Sequence, residues 1–208
     1  MKLYLSSYRI PTPDDLSFLL GKPLNEVSVA LIPNAKDYYS ELAWKFKVND
    51  IVTYMEQFGL HVVIVDLREY SNASMLRDKL ADFDLIWAMG GNTFVLRYEM
   101  KRSGFDKIIG ELLSRGIVYG GDSAGALVVG LSLAGIEKAD QPEFAKEIIK
   151  DGIGLVKAHI LPHVDNLEFM EITPIFKDLH KTDEIIELKD SQAVVFDGDK
   201  RYIATASA

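Results

Sequence analysis

The stretch Gly121-Asp122-Ser123-Ala124-Gly125 decides how this chain reads. It follows the strand-like run Ile117-Val118-Tyr119-Gly120 and precedes the helix-like Ala126-Leu127-Val128-Val129-Gly130-Leu131. Strand, glycine-rich turn and helix together make the G-x-S-x-G nucleophile elbow. A turn this tight tolerates only small neighbours, which accounts for Gly121, Ala124 and Gly125. The serine hydroxyl then projects from the strand end. The N–H of Ala124, at a helix N-terminus, is placed to donate to a developing oxyanion. The plain alternative is a glycine-rich connection with a capping serine.

Outward from the elbow, short apolar runs alternate with helical patterns. Lys2–Leu5, Val27–Ile32, His61–Val65, Asp84–Met89 and Ile117–Tyr119 are brief, largely apolar runs. All but the first end at an evident turn signal, and they read as buried parallel strands. Asp37–Phe58 reads as the longest helix, with Leu42, Phe46, Val48, Ile51, Val52, Met55 and Phe58 near helical spacing. Ser74–Leu80, Thr93–Met100 and Phe105–Leu113 read as shorter helices, and so does Pro142–Lys150. Ile186–Leu188, Ala193–Asp197 and Tyr202–Thr205 read as late strands, the last two joined by a hairpin turn at Asp197–Lys200. Pro11–Asp15 reads as a loop. This alternation predicts an α/β fold on a mostly parallel sheet, with residues 1–208 as a single domain.

Composition excludes several classes. At 208 residues the chain can bury a substantial core without staples. With 23 Lys+Arg against 31 Asp+Glu, the formal net charge is −8, which argues against nucleic-acid binding and against docking on anionic membranes. There are no cysteines, so disulfides, thiolate metal sites and cysteine nucleophiles are absent. No apolar run is long enough to span a bilayer, and the opening MKLYLSSYRIPTPDD lacks a signal-peptide core; the expected address is the cytoplasm.

A serine nucleophile requires a second oxyanion donor, a base and an orienting acid. Gly90-Gly91-Asn92-Thr93 ends one strand and opens a helix, which makes the Gly91 N–H the natural second donor. A simple helix start capped by Asn92 or Thr93 is the alternative. Four histidines are present. His61 opens an apolar strand and reads as structural, and His180 reads as part of a solvated helix end. His163, fixed by the preceding Pro162, reads as the base. His159 lies four residues before it, but no third ligand pattern accompanies the pair, so no metal site and no cofactor are expected. For the acid, Asp190, Asp140 and Glu137 stay open, and Asp165 stands too close to His163 to point back at it.

The segments AMGGNTFVL (88–96), GGDSAGA (120–126) and LPHVD (161–165) resemble the dipeptidase E and cyanophycinase family of serine peptidases. Their order and spacing agree from about residue 27 to the C-terminus. The resemblance implies a three-layer α/β/α sandwich like that of the class I glutamine amidotransferases. It implies Ser123 as nucleophile, His163 as base, and Gly91 with Ala124 as the oxyanion hole. It places Asp190, in Lys189-Asp190-Ser191-Gln192-Ala193, at the family's late triad acid, with Asp140 as the alternative triad acid. The implied activity is hydrolysis of short peptides through an acyl-enzyme, with a small peptide as substrate and no nucleic-acid or membrane partner. An esterase, or a non-catalytic binding module on the same fold, is the alternative. A pocket for an acidic residue would need Lys157, Lys177 or an arginine such as Arg97.

Overall fold

Residues 1–206 are described by the structure, a computed structural model. In chain order the elements are β1 (Lys2–Ser6), α1 (Pro13–Leu20), β2 (Ser28–Ile32), α2 (Glu41–Glu56), β3 (His61–Ile64), α3 (Ala73–Leu80), β4 (Leu85–Ala88), α4 (Thr93–Ser103), α5 (Phe105–Ser114), β5 (Val118–Asp122), α6 (Ala124–Leu127), β6 (His159–Leu161), α7 (Ile172–Leu179), β7 (Ile185–Glu187), β8 (Gln192–Asp197) and β9 (Lys200–Thr205). Seven strands form the central sheet in the order β3-β2-β4-β5-β1-β8-β9. The first five run parallel; β8 pairs antiparallel with β1, and β9 with β8. β6 and β7 make a separate parallel pair.

Strand alternation sorts the core into two faces. Leu3, Leu5, Ala30, Ile32, Ile86 and Ala88 point to the side covered by α3, α4, α5 and α6. Tyr4, Val29, Leu31, Leu85 and Trp87 point to the side covered by α1 and α2. The result is the expected three-layer α/β/α sandwich. A third cluster, built around Phe94, Leu127, Leu161, Ile172 and Phe176, seats α7 beside the carboxyl ends of the strands.

Several local expectations are corrected. Pro142–Lys150 is not a helix: only Pro142–Phe144 makes a helical turn. Phe144 and Ile148 lie exposed, and the backbone beyond pairs instead with the segment after α6, with Leu133 N donating to Lys150 O and Gly152 N to Leu131 O. The Pro11–Asp15 loop already contains the start of α1, where Pro13 supplies a pre-set φ and Asp14 and Asp15 sit favourably in the first turn. The long helix starts at Glu41 behind its Ser40 cap, and its Leu42 and Phe46 face solvent while Val48 and Met55 are buried. β3 is not buried on both faces. It is an edge strand, and Val63 and Ile64 are exposed.

The carboxyl ends of β4 and β5 approach each other through glycine. A Cβ on Gly125 would fall onto the Ala88 carbonyl oxygen, and one on Gly121 would lie 2.6 Å from the Gly125 backbone. Gly110, on the outer face of α5, has open space around it. Gly125→Ala is therefore expected to cost about 2–3 kcal/mol through enforced backbone displacement. That corresponds to a melting midpoint roughly 5–10 °C lower for a chain of this size. Gly110→Ala is expected to raise stability by about 0.5–1 kcal/mol. Parallel thermal melts of the two variants check both signs.

Candidate active site

Ser123 stands at the carboxyl end of β5 with φ 51° and ψ −112°, a left-handed backbone that a residue with a side chain adopts only when its surroundings enforce it. Its N–H donates to Ser6 O at 3.1 Å, tying the elbow to β1. The turn feeds directly into α6, so the Ala124 N–H faces outward from a helix start. Gly91, after β4, has φ 147°, and a Cβ there would strike the Ala35 carbonyl oxygen. Neither the Gly91 nor the Ala124 N–H has a backbone acceptor among the described residues. Two free donors thus flank the serine.

His163 follows Pro162 at the end of β6, also with positive φ, 62°. The turned backbone is pinned by its own N–H, which donates to Ser7 Oγ at 2.8 Å. Its Nε2 lies 2.9 Å from Ser123 Oγ, and its Nδ1 lies 2.5 Å from Asp190 Oδ1. A carboxylate only accepts, so Nδ1 carries the proton and Nε2 presents its lone pair to the serine hydroxyl. Phe169 stacks on the imidazole at 4.6 Å between ring centres, fixing its plane.

Asp190 is held from several directions. Ser7 Oγ donates to its Oδ1 at 2.9 Å and Asn166 Nδ2 to its Oδ2 at 3.0 Å, while its own N–H donates to Asp165 Oδ1. Partial burial alone would raise the carboxyl's pKa. The hydrogen bonds from His163, Asn166 and Ser7 outweigh it and hold the group below the usual carboxylate range. Asp122, beside Ser123, behaves in the opposite way. Burial pushes its pKa up, against the opposing Trp87 Nε1 hydrogen bond at 2.9 Å.

Other candidates go elsewhere. Asp140 makes no hydrogen bond to His163; its Oδ2 accepts from Thr93 N at 2.8 Å and from Thr93 Oγ1 at 2.5 Å, which ties the segment after α6 to the start of α4. Glu137 pairs with Lys150. His180 is not solvated: it is buried, with Nε2 donating to Ala134 O at 2.8 Å. His159 turns toward His180 and Asp183 rather than toward His163. Of the cations considered for an acidic substrate, Arg97 is buried against Asp106 and the Asp151 carbonyl, Lys177 pairs with Glu187, and Lys157 is exposed and lines none of the cavities around Ser123.

Three residues that sequence reasoning missed stand in the site. Ser7, fully buried, bridges His163 and Asp190; a polar residue just past the carboxyl end of a parallel strand is the signal that could have found it. Asn166 follows the base by three residues. Lys36 comes from the turn after β2, behind Gly91, and burial lowers its pKa. The cleft over Ser123 and His163 opens into a pocket of about 420 Å³ on the α7 side, walled by Tyr38, Tyr39, Leu127, Ile136 and Phe169, with Asp140 among its polar groups. No helix among the described residues is long and apolar enough to cross a membrane.

The geometry separates the two acids experimentally. Asp190→Asn is expected to slow fluorophosphonate labelling of Ser123 by about a thousandfold or more, because the imidazole loses its correct tautomer. Asp140→Asn is expected to stay within about tenfold of the parent protein, since it makes no bond to the imidazole. Because the Asp190 pKa is depressed in the folded state, its stabilisation is present above the unfolded value of about 4 and fades as pH falls through the folded value. Urea unfolding between neutral pH and pH 3 is expected to show a shallower acid loss in Asp190→Asn.

The chain is similar to several known proteins. An uncharacterized peptidase of Listeria monocytogenes serovar 1/2a is 32% identical over 184 residues, covering 88% of this chain and 85% of that protein. An uncharacterized peptidase of Listeria innocua is 35% identical over 143 residues, 68% of each chain. A crystal structure of a protein described as a candidate peptidase E from Listeria monocytogenes EGD-e superposes with a TM-score of 0.83 at 28% identity, covering 99% of this chain and 98% of that one. A peptidase from an acI-B1 Actinobacterium shares the fold, with a TM-score of 0.75 at 19% identity over 99% of this chain and 88% of that one. The model of peptidase family S51 matches residues 8–204, and the chain belongs to that family of serine-type peptidases.

Proposed function

We propose that this chain is a dipeptidase E-like serine peptidase that removes the N-terminal residue of short peptides through an acyl-enzyme, working as one domain. His163 Nε2 takes the proton of Ser123 as Oγ attacks the scissile carbonyl. The N–H groups of Gly91 and Ala124 receive the tetrahedral oxyanion, and each such donor is commonly worth about 3 kcal/mol of transition-state stabilisation. The imidazolium then returns its proton to the departing amine, and water repeats the sequence to release the acid. Asp190 keeps Nδ1 protonated and stabilises the imidazolium; Ser7 and Asn166 hold Asp190 in place.

The observation that carries this reading is the continuous contact from Ser123 Oγ through His163 to Asp190, at 2.9 and 2.5 Å. The same contact disfavours the esterase order of serine, acid, histidine, which would require Asp140 as the acid or His180 as the base. On the acyl side, the α7-side pocket has aromatic and aliphatic walls and sets two carboxylates, Asp140 and Glu168, against the one ammonium of Lys36, a balance that suits a substrate ammonium better than an acidic side chain. An uncharged apolar N-terminal residue therefore fits this pocket.

Stoichiometric labelling by a fluorophosphonate, absent in Ser123→Ala, is the expected outcome; folded protein that takes no label is a binding module instead. In a dipeptide series, N-terminal Leu or Phe is expected to exceed N-terminal Asp by about tenfold or more in kcat/KM, since burying an acid beside a carboxylate is costly. Equal or better hydrolysis of the Asp peptides would reverse the assignment of the pocket.

A further inference from the structure

On the α2 side of the strand ends, across Gly90 and Asp122 from the apolar pocket, lies a second cavity of about 310 Å³. An open cleft containing Ser123, His163 and Asp190 joins the two. An extended peptide lying across Ser123 with its acyl half in the apolar pocket directs its leaving half toward this second cavity. The two ends differ in charge. The acyl end presents Asp140 and Glu168 with Lys36 at its border, whereas the α2 end presents Arg9, Lys47 and the same Lys36 with Asp50 and Asp122.

Most of these charges are already engaged. Arg9 pairs with Asp50 at 2.9 Å and lies over the Tyr54 ring. Asp122 accepts from Trp87, and Lys47 lies over the Tyr39 ring at 4.7 Å. Lys36 is different. It borders the pocket, the cleft and the second cavity alike, is half-buried, and has no ion pair among the described residues. Its backbone is fixed against the oxyanion loop, because Asn92 N donates to the Ala35 carbonyl at 2.8 Å. Asp122 and Asp140 act on it only at a distance, and a partly desolvated ammonium without a direct partner carries a standing cost that a ligand anion offsets.

We propose that Lys36 is the specificity residue that receives a carboxylate carried by the residue after the scissile bond, the leaving half of the substrate. With an ammonium held at the acyl end and a carboxylate held by Lys36, the cleft is charge-complementary to a short zwitterionic peptide. The carboxylate comes either from the peptide's C-terminus or from an acidic side chain at the same position. This assignment rests on the peptidase reading of the same site for which half leaves, but its test does not depend on turnover.

The test is calorimetric binding of Leu-Gly, Leu-Gly amide and Leu-Asp amide to the Ser123→Ala protein. Amidation of Leu-Gly is expected to weaken binding by about tenfold, the size of one charge-assisted contact in a half-open site. Recovery with Leu-Asp amide identifies a side-chain carboxylate as sufficient; no recovery identifies the chain terminus. Adding Lys36→Met is expected to bring the acid and the amide within about twofold of each other, and Lys36→Arg is expected to retain the preference. Equal binding of acid and amide by the Ser123→Ala protein overturns the proposal without relying on any Lys36 variant. So does a Lys36→Met variant that weakens both ligands equally. Failure of fluorophosphonate labelling in the parent protein would instead sink the peptidase reading, and the calorimetry would still decide the role of Lys36.

Discussion

The backbone at Ser123 is bent into a left-handed conformation that costs on the order of 1–3 kcal/mol, and the molecule holds it there by leaving no room to relax. Gly121 and Gly125 let β5, α6 and the end of β4 close to contact distance, and the Ser123 N–H is tied to β1. Because the serine cannot swing back into the strand, its hydroxyl stands at the crevice outside the carboxyl ends of the sheet. The two N–H groups near Ser123 that lack a backbone acceptor among the described residues come from the same construction. Ala124 follows the bend itself, and Gly91 ends the neighbouring strand.

Three non-glycine residues take positive φ among the described residues, Arg9, Ser123 and His163, and all three border the cavities around Ser123. Strain is concentrated where the chain must turn side chains into one cleft. The supporting bonds are correspondingly dense. Ser7 alone donates to Asp190, accepts from the His163 backbone and lies 3.3 Å from the imidazole. A buried polar network of this kind rigidifies only when every member is satisfied, and here each bond also fixes the geometry of another.

The electrostatic layout follows from how differently the acids are treated. The donors around Asp190 hold its pKa below the usual carboxylate range, whereas burial raises the pKa of Asp122 and Asp140. The negative charge that matters most for the imidazole is thus the one in contact with it. Lys36 makes no direct ion pair among the described residues, and Asp122 and Asp140 act on it from a distance.

Much of this was legible in the chain before folding was considered. The elbow, its small neighbours and the alternation of apolar runs with helical patterns are consequences of local sterics and periodicity, and these are written in consecutive residues. The histidine that meets Ser123 was legible through Pro162-His163. By contrast, Pro142–Lys150 misled because its composition favours a helix while its backbone finds partners in residues 131–133. His180 misled because charged neighbours surround it in sequence but Ala134 and Phe176 surround it in space. Only the tertiary structure chose Asp190 over Asp140 as the imidazole's partner, brought Ser7 across 156 residues to the base, and set Lys36 behind Gly91. These are ordinary residues in ordinary local contexts. Their significance comes from which loops a parallel sheet delivers to the same end, a long-range property that no short window of sequence contains.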